Sequence, residues 1–156
     1  MDESMYLGPF ATSLGLVLDT VNGDEVTAHW TVTPQMHQPY GILHGGVHCS
    51  VVETLASLGA ALWLGERGTV VGVSNTTDFY RATSSGSLTS SARPLHRGRS
   101  QQVWLVETLD DQDRTVARGQ VRLQNLNLTG REVDVGTGDD QAAAWSRAGP
   151  GKKLMP

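Results

Sequence analysis

From Gly46 to Leu64 the chain carries a single charge, Glu53, if histidine is counted as neutral. Val47, Val51, Leu55, Leu58 and Leu62 recur in that run at spacings of three and four, the repeat that gathers apolar side chains on one face of a helix. A glycine pair, Gly45-Gly46, precedes the run, and Gly65-Glu66-Arg67-Gly68 closes it with glycine on both sides. The spacing predicts a helix over roughly residues 46–64, about 28 Å long at 1.5 Å rise per residue. Such a helix is apolar on most sides, so the rest of the chain must cover it. A carboxylate inside it is costly unless it is hydrogen-bonded or has work to do.

What surrounds the run reads mostly as strand. A short helix is expected over Tyr6–Ser13. Leu14, Leu16 and Leu18 alternate, and Asn22-Gly23 offers a hairpin turn. Residues 25–33 alternate, with Val26, Ala28, Trp30 and Val32 on one face and Glu25, Thr27, His29, Thr31 and Thr33 on the other, as in a half-buried antiparallel strand. Residues 34–43 read as a loop, with Pro39 and Gly41 as breakers. Beyond the helix, strands are expected over 69–80, 87–94, 101–109 and 115–126, with a polar turn at Asp110–Arg114. The continuous apolar run Val103-Trp104-Leu105-Val106 predicts a strand covered on both faces. The order is two strands, one long helix and four strands. A single rod is buried by six strands only if a twisted sheet curls around it, giving an α+β domain over residues 1–126. Trp30, Trp63 and Trp104 are large surfaces to hide, which predicts a symmetric dimer. Residues 127–156 lack periodicity and read as a mobile tail.

Bulk properties narrow the function. The length of 156 residues suits one domain with a real core. The net charge of −4 argues against nucleic acid as a partner. The longest uninterrupted apolar stretch, Leu58 to Leu64, is short of the ~20 residues a membrane helix needs, and the opening residues show no basic-then-apolar leader. Cys49 is the one cysteine, so no internal disulfide forms. A soluble cytoplasmic protein is the expectation.

The chemistry falls on the helix. Cys49 or Ser50, Glu53 and Ser57 follow one another at helical spacing, a polar line opposite the Val and Leu face. The helix start at Gly45-Gly46 offers backbone N–H groups and the positive end of the macrodipole, open to a carbonyl or oxyanion. Glu53 lies about 12 Å further along the axis by simple rise. That is too far for one reacting carbonyl, unless the carboxylate comes from a second subunit. On the residue pattern alone, Glu53 is either a reacting acid or a buried carboxylate tied to backbone N–H groups or Ser57. His44 and His48 do not make a metal pair, because the glycines between them interrupt the helix and no third ligand has suitable spacing. Cys49 reads as a small apolar residue rather than a nucleophile. Arg93, Arg97 and Arg99 with His96 form a basic cluster, either a solvated loop or a phosphate clamp.

The stretch Gln38-Pro39-Tyr40-Gly41-Ile42-Leu43-His44-Gly45-Gly46, with Glu53 nine residues after His44 and Ser57 four further on, resembles the hotdog-fold acyl-CoA thioesterases. The likeness is to the 4-hydroxybenzoyl-CoA thioesterase branch with a helix-borne Glu, including PaaI-like and menaquinone-pathway enzymes. Val71-Gly72-Val73-Ser74-Asn75, Phe79-Tyr80-Arg81 and Pro94-Leu95-His96-Arg97-Gly98-Arg99-Ser100 also resemble that branch. The resemblance implies a curved antiparallel sheet wrapped around one helix and hydrolysis of an aromatic or medium-chain acyl-CoA to free acid and CoA. It implies Glu53 as nucleophile or general base, the Gly45 N–H polarising the thioester carbonyl, and Gln38 and His44 positioning substrate or water. Ser57 would hydrogen-bond the water or Glu53. Asn75, Arg81, Arg99 and Ser100 would meet CoA. It also implies a homodimer, paired into a homotetramer, with sites at the dimer interface and neither cofactor nor metal. The rival readings are an acyl-CoA-binding hotdog protein without turnover and a hotdog dehydratase or hydratase.

Overall fold

The computed structural model describes residues 4–127; the part of the expected tail beyond residue 127 lies outside the described residues. The helical run forms as one element, α2 (Gly45–Leu64), starting one residue before the expected position. It closes at Gly65, whose φ of 59° lets its N–H reach the Ala61 carbonyl. A second helix, α1 (Ser4–Ser13), is kinked at Gly8-Pro9 and covers part of α2.

Six strands follow the expected order: β1 (Val17–Val21), β2 (Val26–Thr31), β3 (Thr69–Phe79), β4 (Ser87–Arg97), β5 (Gln101–Leu109) and β6 (Thr115–Leu126). They form one antiparallel sheet in the order β1-β2-β4-β5-β6-β3, and α2 touches every strand from β2 to β6. The alternation predicted for β2 holds: Val26, Ala28 and Trp30 are buried against the helix while His29 and Thr31 face outward. By length and composition alone the run Gly45–Arg67 is apolar enough to cross a membrane, although no uninterrupted apolar stretch in it is long. Here the sheet takes the place of lipid.

Three local expectations change. The hairpin between β1 and β2 does not use Asn22-Gly23 as a tight two-residue turn. Neither residue has a positive φ. Instead Asn22 Oδ1 accepts from the Asp24 and Glu25 amides, and a wider turn closes through Asn22 N–H to the Glu25 carbonyl. β4 runs three residues beyond Pro94, because a register shift between Pro94 and His96 absorbs the residue without an N–H. β5 is not covered evenly: Gln102, Trp104, Val106 and Thr108 are buried on the helix side, whereas of the opposite face only Leu105 is buried.

Trp30 and Trp104 are hidden within the protomer, so of the three indoles weighed from sequence only Trp63 is left partly exposed. Among the described residues every buried side-chain polar atom except His48 Nδ1 is paired. Trp30 Nε1–H donates to Ser90 Oγ, which shares a hydrogen bond with Thr108. Trp104 Nε1–H donates to Gln102 Oε1, and Gln102 Nε2 donates to Asn125 Oδ1 and the Ala60 carbonyl. The helix meets the sheet closely where Gly59 faces Trp104. A Cβ on Gly59 would stand 2.5 Å from the indole, and that ring, fully buried, has nowhere to go. Gly59→Val is therefore expected to lose about 3 kcal/mol of stability, read as a fall of about 10 °C in thermal midpoint. An unchanged midpoint would refute this packing.

Candidate active site

The open start of α2 is narrower than its sequence suggests. His44 is the N-cap residue, and its Nδ1 accepts from the Gly46 N–H at 2.9 Å. The His44 carbonyl takes the Val47 N–H. The Gly45 N–H is thereby left as the first-turn amide without a partner among the described residues. Because Nδ1 accepts that bond, a ring proton of His44 sits on Nε2. A Cβ at position 45 would stand 2.7 Å from the half-exposed Phe79 ring and push it aside.

A cavity of about 340 Å³ opens at Gly45, walled by Gln38, Leu43, His48, Phe79 and Arg81 among others. The Gln38 side chain is held by the loop, with its Oε1 accepting from the Tyr40 N–H at 2.7 Å. Arg81 is exposed and also lines an adjoining polar cleft of about 470 Å³ together with Arg114 and a run of serines.

Glu53 does not reach this cavity. Its half-buried carboxylate faces β3, with Asn75 Nδ2 donating to Oε2 at 3.1 Å and the Ser57 hydroxyl 3.4 Å from Oε1. Asn75, read from sequence as a CoA contact, instead has its side-chain amide on the acid and on the Cys49 carbonyl, and is oriented by Thr77 Oγ1. β3 comes so close to Glu53 at Gly72 that a Cβ there would stand 2.2 Å from Oε1. Glu53 and Ser57 border a separate groove of about 460 Å³, with Thr69, Val70 and Leu7. The expected polar line on α2 is therefore real and faces away from the core, but within one protomer the amide start and the acid open into different depressions.

The expected CoA residues divide in the same way. Arg81 lies beyond the Phe79 end of β3, beside Gly45. Arg99 and Ser100 lie in the turn between β4 and β5, at the Thr69 end, where Asn125 fastens their carbonyls. Arg97 is structural: it binds the Gly23 carbonyl and Asp24 across the sheet and lies over the Trp63 ring. Among the described residues no group of three His, Cys, Asp or Glu is placed to hold a metal ion.

Sequence reasoning missed one residue of this region. From sequence His48 reads only as half of a rejected metal pair, yet it belongs to the buried face of α2, 3% exposed, where Val47 is only partly covered. Its ring stacks on Phe79 and meets Trp30 edge-on, and its Nδ1 has no hydrogen-bond partner. An unpaired buried nitrogen costs about 1–3 kcal/mol. Burial lowers its pKa from 6.5 to about 4, so it is neutral at pH 7. Between pH 6.5 and 4 the unfolded chain binds a proton at this residue that the folded chain refuses, so stability falls on acidification. The expected loss is roughly 3 kcal/mol across that window. His48→Phe should flatten the fall in urea midpoint over the same range; an unaltered slope would contradict the assignment.

Comparisons with known proteins identify the family to which this fold belongs. The Thioesterase superfamily matches residues 40–117, from the loop before α2 into β6. The Mycobacterium tuberculosis protein Rv1847 is 53% identical over 121 residues, covering 76% of this chain and 86% of its own. The proofreading thioesterase EntH of Cronobacter sakazakii is 34% identical, covering 69% of this chain and 79% of its own. Among solved structures, AziG of S. sahachiroi superposes with a TM-score of 0.77 at 57% identity, covering 78% of this chain and 99% of that one. Sheet order, central helix and relatives together place the chain in the thioesterase superfamily, as a thioester hydrolase built on the hotdog fold.

Proposed function

We propose that the protein hydrolyses an aromatic or medium-chain acyl-CoA thioester to the free acid and CoA, at sites assembled from two copies of the chain. The observation that carries this reading is the separation of the Gly45 amide from the Glu53 carboxylate, with β3 between them as the open edge of the sheet. Val71, Val73 and Phe79 are 42%, 49% and 52% exposed on that strand. A long apolar edge with unpaired N–H and C=O groups is a template for another strand. Pairing it antiparallel with its own copy about a two-fold axis sets the Thr69 end of one β3 beside the Phe79 end of the other. The Glu53 groove of one copy then adjoins the Gly45 cavity of its partner.

In that site the Gly45 N–H, reinforced by the helix dipole, polarises the thioester carbonyl and holds the oxyanion as it forms. Glu53 of the other copy, held by Asn75 and Ser57, supplies the attack. Either its carboxylate adds to the carbonyl carbon, releasing CoA thiolate and leaving an anhydride that water opens, or it removes a proton from a water that adds directly. In both courses the C–S bond breaks and the thiolate leaves with a proton from solvent. Entry of oxygen-18 into the enzyme carboxylate in a single turnover separates them. Gln38 and the His44 Nε2–H orient substrate or water, and Arg81, Arg99 and Ser100 meet CoA. The homodimer is the smallest active unit and a homotetramer the assembled form; the exposed Leu95 on β4 is available to a second dimer. A cytoplasmic location keeps the lone Cys49 reduced.

Release of free CoA thiol from a panel of aryl- and alkanoyl-CoAs tests the reading, and no release from any of them would end it. Gly72→Ala adds a sharper test. The added methyl forces the flexible carboxylate aside rather than the backbone, so the expected result is an unchanged thermal midpoint with turnover down about 10- to 100-fold.

A further inference from the structure

We infer that Asn125 is a positioning residue for CoA, setting the direction of Arg99 from beneath the turn that carries it. The inference rests on the reading above that Arg99 meets CoA. Arg99 is exposed in the turn between β4 and β5. The hairpin's own bond there runs from the Gly98 N–H to the Gln101 carbonyl. Asn125 adds three more. Its Nδ2 donates to the Gly98 carbonyl at 3.0 Å and to the Arg99 carbonyl at 3.1 Å, and its backbone N–H donates to the Ser100 carbonyl at 2.8 Å. Each peptide unit is planar, so the two planes flanking a residue define its φ and ψ. The planes flanking Arg99 are those of the Gly98 and Arg99 carbonyls, and one side-chain amide holds both. That amide therefore fixes where the Arg99 Cβ points.

Packing alone does not require an amide at this position. Asn125 follows Val121 and Leu123 on the helix-facing side of β6 and is 1% exposed, where the alternation calls for an apolar side chain. A polar group there is costly unless its donors and acceptor are met. Here both Nδ2 protons go to the turn, and Oδ1 accepts from Gln102 Nε2 at 2.8 Å. Gln102, fully buried, is fixed in turn by Trp104 Nε1–H at its Oε1 and by the Ala60 carbonyl, which accepts from its Nε2 at 3.2 Å. Ala60 belongs to α2, two helical turns beyond Glu53 on the same rod. Two buried amides thus tie the turn to the helix that carries the acid, and a fully satisfied network of this kind is rigid. Arginine meets a phosphate through a fixed planar fork, so the contact depends on the direction from which it is offered.

The test compares two thioesters of one acyl group, the acyl-CoA released fastest in the panel above and its N-acetylcysteamine counterpart, which lacks the phosphates and the nucleotide. Asn125→Asp keeps the shape of the side chain, the acceptor toward Gln102 and the backbone bond to Ser100, and removes both donors to the turn. The expected result is a KM for acyl-CoA raised about tenfold with kcat nearly unchanged. For the N-acetylcysteamine thioester kcat/KM should change by less than about twofold. Arg99→Ala should raise KM for acyl-CoA by a similar factor, and adding Asn125→Asp to it should cost nothing further. Equal losses on both thioesters would show a merely structural role and overturn the inference. Losses that multiply in the double variant would overturn it too, as would an unchanged KM for acyl-CoA in Arg99→Ala. If the aspartate variant does not fold, Asn125→Ser, smaller and uncharged, is read in the same way; failure of both to fold would make the residue structural and overturn the inference. Wild type that hydrolyses both thioesters with the same kcat/KM would overturn the inference while leaving the proposed hydrolysis standing. Thiol release from neither would end the proposed function and this inference with it.

Discussion

Glu53→Gln is expected to lower thiol release by a factor of about 10² to 10⁴ while leaving the fold intact. The substitution keeps the side chain's length and its hydrogen-bonding reach toward Asn75 and Ser57, the two groups that hold the carboxylate in the structure. What it removes is the negative charge and the basic oxygen, and every course proposed for the reaction needs one of them. Because Glu53 is half-buried and lies off the apolar face of α2, the thermal midpoint should stay near that of wild type, and substrate affinity should change far less than turnover. A Glu53→Gln variant releasing thiol at the wild-type rate would remove the acid from the mechanism.

The second large effect concerns the edge strand. Val71→Lys with Val73→Lys places two charges on the exposed, unpaired side of the sheet, where natural edges use lysine to repel another strand. The protomer's own core is untouched, since neither residue belongs to it. The double variant is expected to stay folded by circular dichroism and to sediment as a monomer. Its thiol release should fall by about 10³ or more, because the Gly45 amide and the Glu53 carboxylate then never share a cleft. A folded monomer that retains wild-type turnover would show that one chain holds a complete site.

Much of the architecture was legible because two periods dominate the chain. The three-and-four spacing from Val47 to Leu62 and the alternation from Val26 to Trp30 both follow from which side each residue must bury, and both appear in the structure. The strand order was not legible. β3 follows α2 in sequence yet pairs only with β6, at the far edge, and nothing in its composition distinguishes an edge strand from an inner one. The dimer expected from three tryptophans accordingly lost its first argument, since Trp30 and Trp104 are sealed within one protomer, and gained a better one in the apolar edge. Residue types also concealed roles. Arg97 looked like part of a phosphate clamp but ties β4 to the first hairpin. Asn75 looked remote from the acid, because the fold that carries it to Glu53 spans more than twenty positions of chain. His48 looked polar and is buried, a conflict that local pattern registers only as noise.

The fixed rise of α2 sets the spacing between its amide start and its acid along one rod, and no substitution in the cavity walls alters it. In a site shared between two copies, the distance that matters runs from the amide of one rod to the acid of the other. Sliding the β3–β3 pairing by two residues would shift that distance by about 7 Å at the rise of an antiparallel strand. In such a site a backbone ladder with no reactive group of its own would act as the caliper of the reaction. The register shift that sets Gly72 against Leu123 and Ser74 against Arg122 lies on this same strand, directly beside the acid.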